Sequence, residues 1–194
     1  MSTHSLTWLN DQLLPTSQAL IPVNDHGLLY GDGVFEGIRF YQRRAFRLPQ
    51  HLQRLQLSAR AIALEIPLST DELTTVIERL IGSFADDGYI RLMVTRGAGQ
   101  MGLNPQSCTR PNVIAIAIAI AIAIAIDGEA ILLNGQGRVA EGAADNIFIV
   151  RNGRLLTPPC SEGALEGITR ELVLQLAQAD GIETSEQPLG VYDL

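Results

Sequence analysis

From Ile114 to Ile126 isoleucine and alanine alternate without a break, thirteen residues in a row. No other feature narrows the folding options of this chain so far. A period of two suits a β-strand and puts every isoleucine on one face and every alanine on the other. As a helix, the isoleucines would encircle the axis and need burial on all sides. The strand is therefore favoured. At about 3.3 Å per residue the run would reach roughly 43 Å, more than twice a common strand. No charge or proline interrupts it, and a two-residue slip reproduces the pattern, so register is poorly specified. Such a run is an aggregation signature. The expected neighbours, YIRLMVTRG and EAILLN, are shorter. Part of the run is thus expected to stay unpaired in one monomer and to template a second copy.

The remaining composition is ordinary for a folded protein. With 46% hydrophobic and 18% charged residues, 194 residues can bury a core and need not be disordered. A net charge of −7 argues against nucleic acid or an anionic membrane as partner. The stretch MSTHSLTWLN lacks the basic and apolar regions of a signal peptide. The longest apolar run, Val113 to Ile126, is short for a membrane helix, which needs about 20 residues. A soluble, cytoplasmic chain is expected. Cys108 and Cys160, like His4, His26 and His51, are too scattered for a disulfide framework or a structural metal site. All fourteen basic residues are arginine, and no lysine occurs.

Leu6–Leu9 reads as a strand and Val34–Tyr41 as another, with a turn at Gln42–Arg44. Pro49 suits the start of a helix through about Leu64. Ser69 and Glu72 have the capping-box spacing, and Leu73, Ile77 and Leu80 follow on one helical face. Gly88–Gly97 reads as a strand, and Gly97 to Pro105 as a glycine-rich loop. EAILLN, DNIFIV and GRLLT are further strands, the last two joined at Asn152-Gly153. GITRELVLQLAQAD is a helix stopped by Gly181. The expected class is α+β. The expected division is an N-terminal α/β domain over 1–112, the repeat at 113–126, and an incomplete C-terminal domain over 127–194.

Five stretches, taken in order, resemble the class IV pyridoxal-phosphate enzymes, which include branched-chain and D-amino acid aminotransferases and aminodeoxychorismate lyases. They are DHGLLYGDGVFEGIRFY, FRLPQHLQRL, YIRLMVTRGAGQMGLNP, GRVAEGAADNIFIVRNGRLLTPP and LEGITREL, and they cover nearly everything but the repeat. The resemblance implies a fold type IV chain, pyridoxal 5′-phosphate as cofactor, and a homodimer. It implies amino-group transfer between a small apolar amino acid and a 2-oxo acid. The Met101–Pro105 run leans toward the branched-chain group.

The same resemblance assigns residues. GITR opens a helix, where N–H groups and the dipole favour a phosphate. Taken alone it is an ordinary helix start; in the family its Ile and Thr hold the cofactor phosphate, here Ile168 and Thr169. Arg54 matches the family's phosphate-binding arginine, although a lone helical arginine is usually a solvated one. Glu141 matches the carboxylate that keeps the pyridine nitrogen protonated, against a plain loop glutamate. Leu165 matches the leucine packed on the cofactor ring, against a core leucine. Tyr30, Phe35, Arg39 and Arg91 fall where the family lines its substrate pocket.

Between PNV and EAILLN the family carries a longer segment that includes its catalytic lysine; here the repeat fills that place. A Thr-Gly-Thr-like loop that gives a second phosphate contact also has no counterpart. The lysine anchors the cofactor covalently and moves the proton between substrate Cα and cofactor C4′. Arginine can do neither, since its pKa above about 12 leaves no nucleophilic amine. The expectation is therefore a family member without a catalytic residue. The alternatives are a lyase-like member of the same family, or a non-enzymatic chain, engineered or degenerate, that self-associates through the Ile/Ala strand.

Overall fold

The opening of the Ile/Ala run is a strand at the centre of a sheet. The computed structural model describes residues 5–85, 87–119 and 130–194. The chain forms two compact units, Met1–Ala125 and Ile126–Leu194. In the first unit the strands are β1 (Leu6–Leu9), β2 (Gln12–Pro15), β3 (Gly33–Tyr41), β4 (Arg44–Ala45), β5 (Gly88–Thr95) and β6 (Asn112–Ala119). They form one antiparallel sheet in the order β2-β1-β6-β5-β3-β4. Among the described residues three α-helices accompany it: α1 (His26–Tyr30), α2 (Leu48–Ala61) and α3 (Thr70–Gly82).

Alternation decides which face of the sheet carries the helices. Val34, Ile38 and Phe40 of β3, Ile90, Leu92 and Val94 of β5, and Val113, Ala115 and Ala117 of β6 are all buried in one core. The inner faces of α2 (Leu48, Leu52, Leu55, Ala59) and α3 (Leu73, Val76, Ile77, Leu80, Ile81) complete it. The small alanines of the repeat thus meet the helices, and Ile114, Ile116 and Ile118 take the opposite face. α3 begins as its sequence predicts: Ser69 and Glu72 form a reciprocal capping box. α2 starts at Leu48, just before Pro49, and ends at Ala61 rather than Leu64.

The neighbours of the repeat differ in part from expectation. YIRLMVTRG does pair with it, since β5 matches β6 along its whole length from Thr95↔Asn112 to Gly88↔Ala119. EAILLN does not pair with the described part of the run; the other neighbour is β1, which covers only Ile114 to Ala117. Ile118 and Ala119 lie beyond the end of β1. The rest of the run, including Ile122, falls outside the described residues. The expected result is a concentration-dependent oligomer by sedimentation velocity, and a shift to monomer when Ile118 and Ile122 are both changed to lysine. A wild-type chain that stays monomeric at all loadings would contradict this.

The second unit holds β7 (Ile131–Leu133), β8 (Arg138–Gly142), β9 (Ile149–Arg151), β10 (Arg154–Thr157), α4 (Ile168–Ala179), β11 (Thr184–Glu186) and β12 (Leu189–Gly190). These strands make two three-stranded sheets, β12-β8-β7 and β11-β10-β9. Val139, Leu156 and Leu189 form the buried cluster there, with Ile147 and Ile149 packed on it. Ile131, Leu132, Leu133, Val150 and Leu176 are exposed. The mixture of helices and sheets is α+β, as the sequence indicates. No helix among the described residues is long and apolar enough to cross a membrane.

Candidate functional site

In the first unit, the face of the sheet away from α2 and α3 gathers three of the sequence-selected residues. Phe35 and Arg39 alternate outward along β3, opposite Met93 and Tyr89 of β5, and Arg91 lies opposite Gly37 between them. The Arg91 guanidinium carbon stands 3.6 Å from the centre of the Phe35 ring, a cation–π contact. Arg39 lies 5.5 Å from the Tyr41 ring centre. Ile114, Ile116 and Ile118 pair with Met93, Arg91 and Tyr89, so the two cations stand beside an apolar floor. Gly37 lets the Tyr89 ring lie close over β3, because a Cβ there would sit 2.7 Å from the Tyr89 hydroxyl and displace it. Such a surface can offer a carboxylate a cation and an alkyl group an apolar neighbour.

Tyr30 is on a different element, the end of the short helix α1. Its ring meets His26 edge-on at 4.9 Å, and its hydroxyl accepts a hydrogen bond from the Gly102 N–H at 2.8 Å. The loop that contains Met101–Pro105 is thereby tied to α1. Its departure from β5 needs a glycine: Gly97 has φ +90°, and a Cβ there would collide with the Arg110 carbonyl.

Arg54 lies on the helix side of the sheet, so it does not share the face of Phe35, Arg39 and Arg91. It makes a bidentate pair with Glu36 of β3: Nε donates to Oε1 at 2.7 Å and Nη2 to Oε2 at 2.6 Å. His51, one turn earlier on α2, reaches the same Oε2 through Nδ1 at 2.7 Å. Burial pushes the Glu36 carboxyl up, but the hydrogen bonds and charges of Arg54 and His51 outweigh it and hold the carboxyl below its ordinary value. An ionised carboxylate only accepts, so Nδ1 of His51 carries the proton. Glu36 and His51 were not singled out from sequence. The available signal was phase: Glu36 takes the inward position between Val34 and Ile38, and His51 the inward position beside Leu52.

The second unit brings Glu141 and Leu165 together. Glu141 belongs to strand β8 rather than to a loop, and its Oε2 accepts the Leu165 N–H at 2.9 Å. Asn146 donates to the Leu165 carbonyl at 2.9 Å and approaches Glu141 Oε2 at 3.4 Å. Leu165 is 56% exposed, so it is not a core leucine. Ile168 is buried and Thr169 exposed in the first turn of α4. The N-cap of α4 is Gly167, which supplies no side-chain cap. Its Cβ would collide with Asn146 Oδ1. Arg170 fixes this turn through Glu186 at 2.6 Å and the Pro158 carbonyl at 2.9 Å.

This arrangement can be set beside known proteins. The family profile described as amino-transferase class IV matches residues 33–127 and 121–194. The chain belongs to the class IV aminotransferase family. A Methanocaldococcus jannaschii protein that carries the name branched-chain-amino-acid aminotransferase is 39% identical over 229 residues, covering 96% of this chain and 80% of that one. The branched-chain-amino-acid aminotransferase of Escherichia coli K12 is 31% identical over 233 residues, covering 94% and 75%. Among solved structures, the branched-chain aminotransferase of Thermoproteus uzoniensis with norvaline superposes with a TM-score of 0.88 at 31% identity, covering 97% of this chain and 79% of that one. These alignments run longer than the 194 residues of this class IV aminotransferase, so the relatives carry residues with no counterpart in it.

Proposed function

We propose that this family member keeps non-covalent contacts for pyridoxal 5′-phosphate and has lost the means to use it in catalysis. One observation carries the proposal: none of the 194 residues is lysine. Within the second unit two features support a fit to the cofactor's polar groups: the first turn of α4 with no side-chain cap, and the half-buried Glu141 carboxylate. The residues do not fit its covalent attachment. A further branched-chain aminotransferase of known structure, solved with pyridoxamine 5′-phosphate, is 28% identical with a TM-score of 0.85.

In this proposal the family resemblance assigns phosphate contacts to Arg54, Ile168 and Thr169, ring packing to Leu165 and the pyridine nitrogen to Glu141. Bound cofactor would supply an electron sink for amino-group chemistry. Arg39 and Arg91 would take the carboxylate of a small apolar amino acid or a 2-oxo acid, with Phe35 and Tyr30 beside its side chain. The names of the relatives support a branched-chain substrate over a lyase substrate.

The test compares two ligands. Pyridoxal phosphate is expected to bind weakly and reversibly by equilibrium dialysis, and pyridoxal at least about tenfold worse, because a charge-assisted phosphate contact is worth that much. Equal affinities would remove the phosphate assignment.

A further inference from the structure

Glu36 is 2% exposed at its side chain, inside the packing between β3 and α2. A carboxylate in that position is costly unless it is paired and hydrogen-bonded. It is satisfied on both oxygens: Oε1 by Arg54 Nε, and Oε2 by both Arg54 Nη2 and His51 Nδ1. The last of these contacts carries the inference.

The terminal torsion of a glutamate is broad and roughly two-fold, so a carboxylate held only by its own arginine can turn together with the guanidinium. A third donor to the carboxylate, reaching Oε2 from the same helix as Arg54 and itself buried, narrows that freedom. The fork geometry of a bidentate pair then transfers the orientation of the carboxylate to the guanidinium plane. The Arg54 side chain keeps 24% of its surface open. Charge alone does not explain the cluster, because Glu36 offsets the cation it holds. Orientation does.

We infer that His51 is a positioning residue: through Glu36 it holds the Arg54 guanidinium in one orientation, and this sets the preference of the chain for phosphorylated over unphosphorylated ligand. The inference rests on the phosphate role proposed above for Arg54.

The experiment uses the full chain with His51→Ala and His51→Asn, because an asparagine amide can replace the Nδ1–H donor. Circular dichroism checks that each variant folds. Two readouts are taken. The first is the nitrogen-15 signal of the Arg54 side chain, which reports guanidinium rotation. The second is the ratio of pyridoxal to pyridoxal phosphate dissociation constants, which a purely structural role would leave unchanged. Expected are slow guanidinium rotation in wild type, faster rotation in His51→Ala and restoration in His51→Asn. The phosphate preference should fall about tenfold in His51→Ala and return in His51→Asn. Unchanged rotation in His51→Ala overturns the inference, and so does an unchanged ratio with rotation made faster. Should wild type show no phosphate preference, the ligand role of Arg54 fails and the inference fails with it. The rotation signal then still tells whether the clamp exists as a feature of the fold.

Discussion

Mixed with leucine, 2-oxoglutarate and pyridoxal phosphate, the purified chain is expected to transfer amino groups no faster than the free cofactor does, at any pH. Enzymes accelerate their reactions about a million-fold or more, and the whole of that factor is expected to be missing. The reason lies in a single side-chain type. Transfer needs an amine that can become a nucleophile and carry a proton at the cofactor, and lysine serves because its pKa can be lowered by its surroundings. The chain has fourteen arginines and no lysine. An arginine in the same place stays protonated and cannot take over. Raising the pH does not rescue it. A coupled assay for glutamate formation measures this directly. Turnover clearly above the cofactor-only control would mean that another group does the lysine's work.

The second large effect is on stability. Changing Glu36 to alanine is expected to cost about 3–5 kcal/mol, the usual result of removing one partner from a buried ion pair. The loss leaves Arg54 and buried His51 without the carboxylate that both donate to. Trp8, on β1 against the core of the first unit, is the sole tryptophan and reports unfolding of that unit in urea. The pH dependence has a definite sign. The Glu36 carboxyl lies below its ordinary value of 4.5 in the folded chain. Its contribution is therefore complete above the unfolded pKa and is lost as pH falls through the lower, folded one. The difference in unfolding free energy between wild type and Glu36→Gln should shrink as pH drops below about 4.5. A difference that stays constant across that range would show that the Glu36 charge contributes nothing to folding.

Much of the first unit was legible because its elements announce themselves through period and caps. Gly88–Thr95 alternates cleanly, Ser69 and Glu72 cap α3, and Leu6–Leu9 begins and ends where its composition says. Among the elements that escaped, α1 and β8 show the physical reasons. α1 has five residues, too few for a 3.6-residue period to appear, and it depends on the Asp25 side chain accepting from Gly27 N–H. β8 reads RVAEG, with a glycine and two charges in five residues, and its strand character comes from pairing with β7 and β12. Sequence also identified that the isoleucines share one face, but not which face. That depends on α3 packing against β6, where Ala115 and Ala117 share the core with the inner face of the helix.

The candidate site was legible by resemblance and less so by physics. Arg54, Glu141 and the first turn of α4 were reached through the motifs around them. Their partners were not, because a hydrogen bond between residues far apart in sequence leaves no local trace. Glu36 and Arg54 are separated by 18 positions, and Glu141 and Leu165 by 24. Inward phase was the one clue, since a charged residue at a core position of a strand needs a partner opposite.

The most direct measurement is chemical. The chain is mixed with pyridoxal phosphate, reduced with borohydride, digested and mapped by mass spectrometry. Expected is no cofactor mass on any internal peptide, with addition confined at most to the α-amino group of Met1. A stoichiometric adduct on an internal residue would contradict the proposal that this class IV aminotransferase has no covalent anchor for its cofactor.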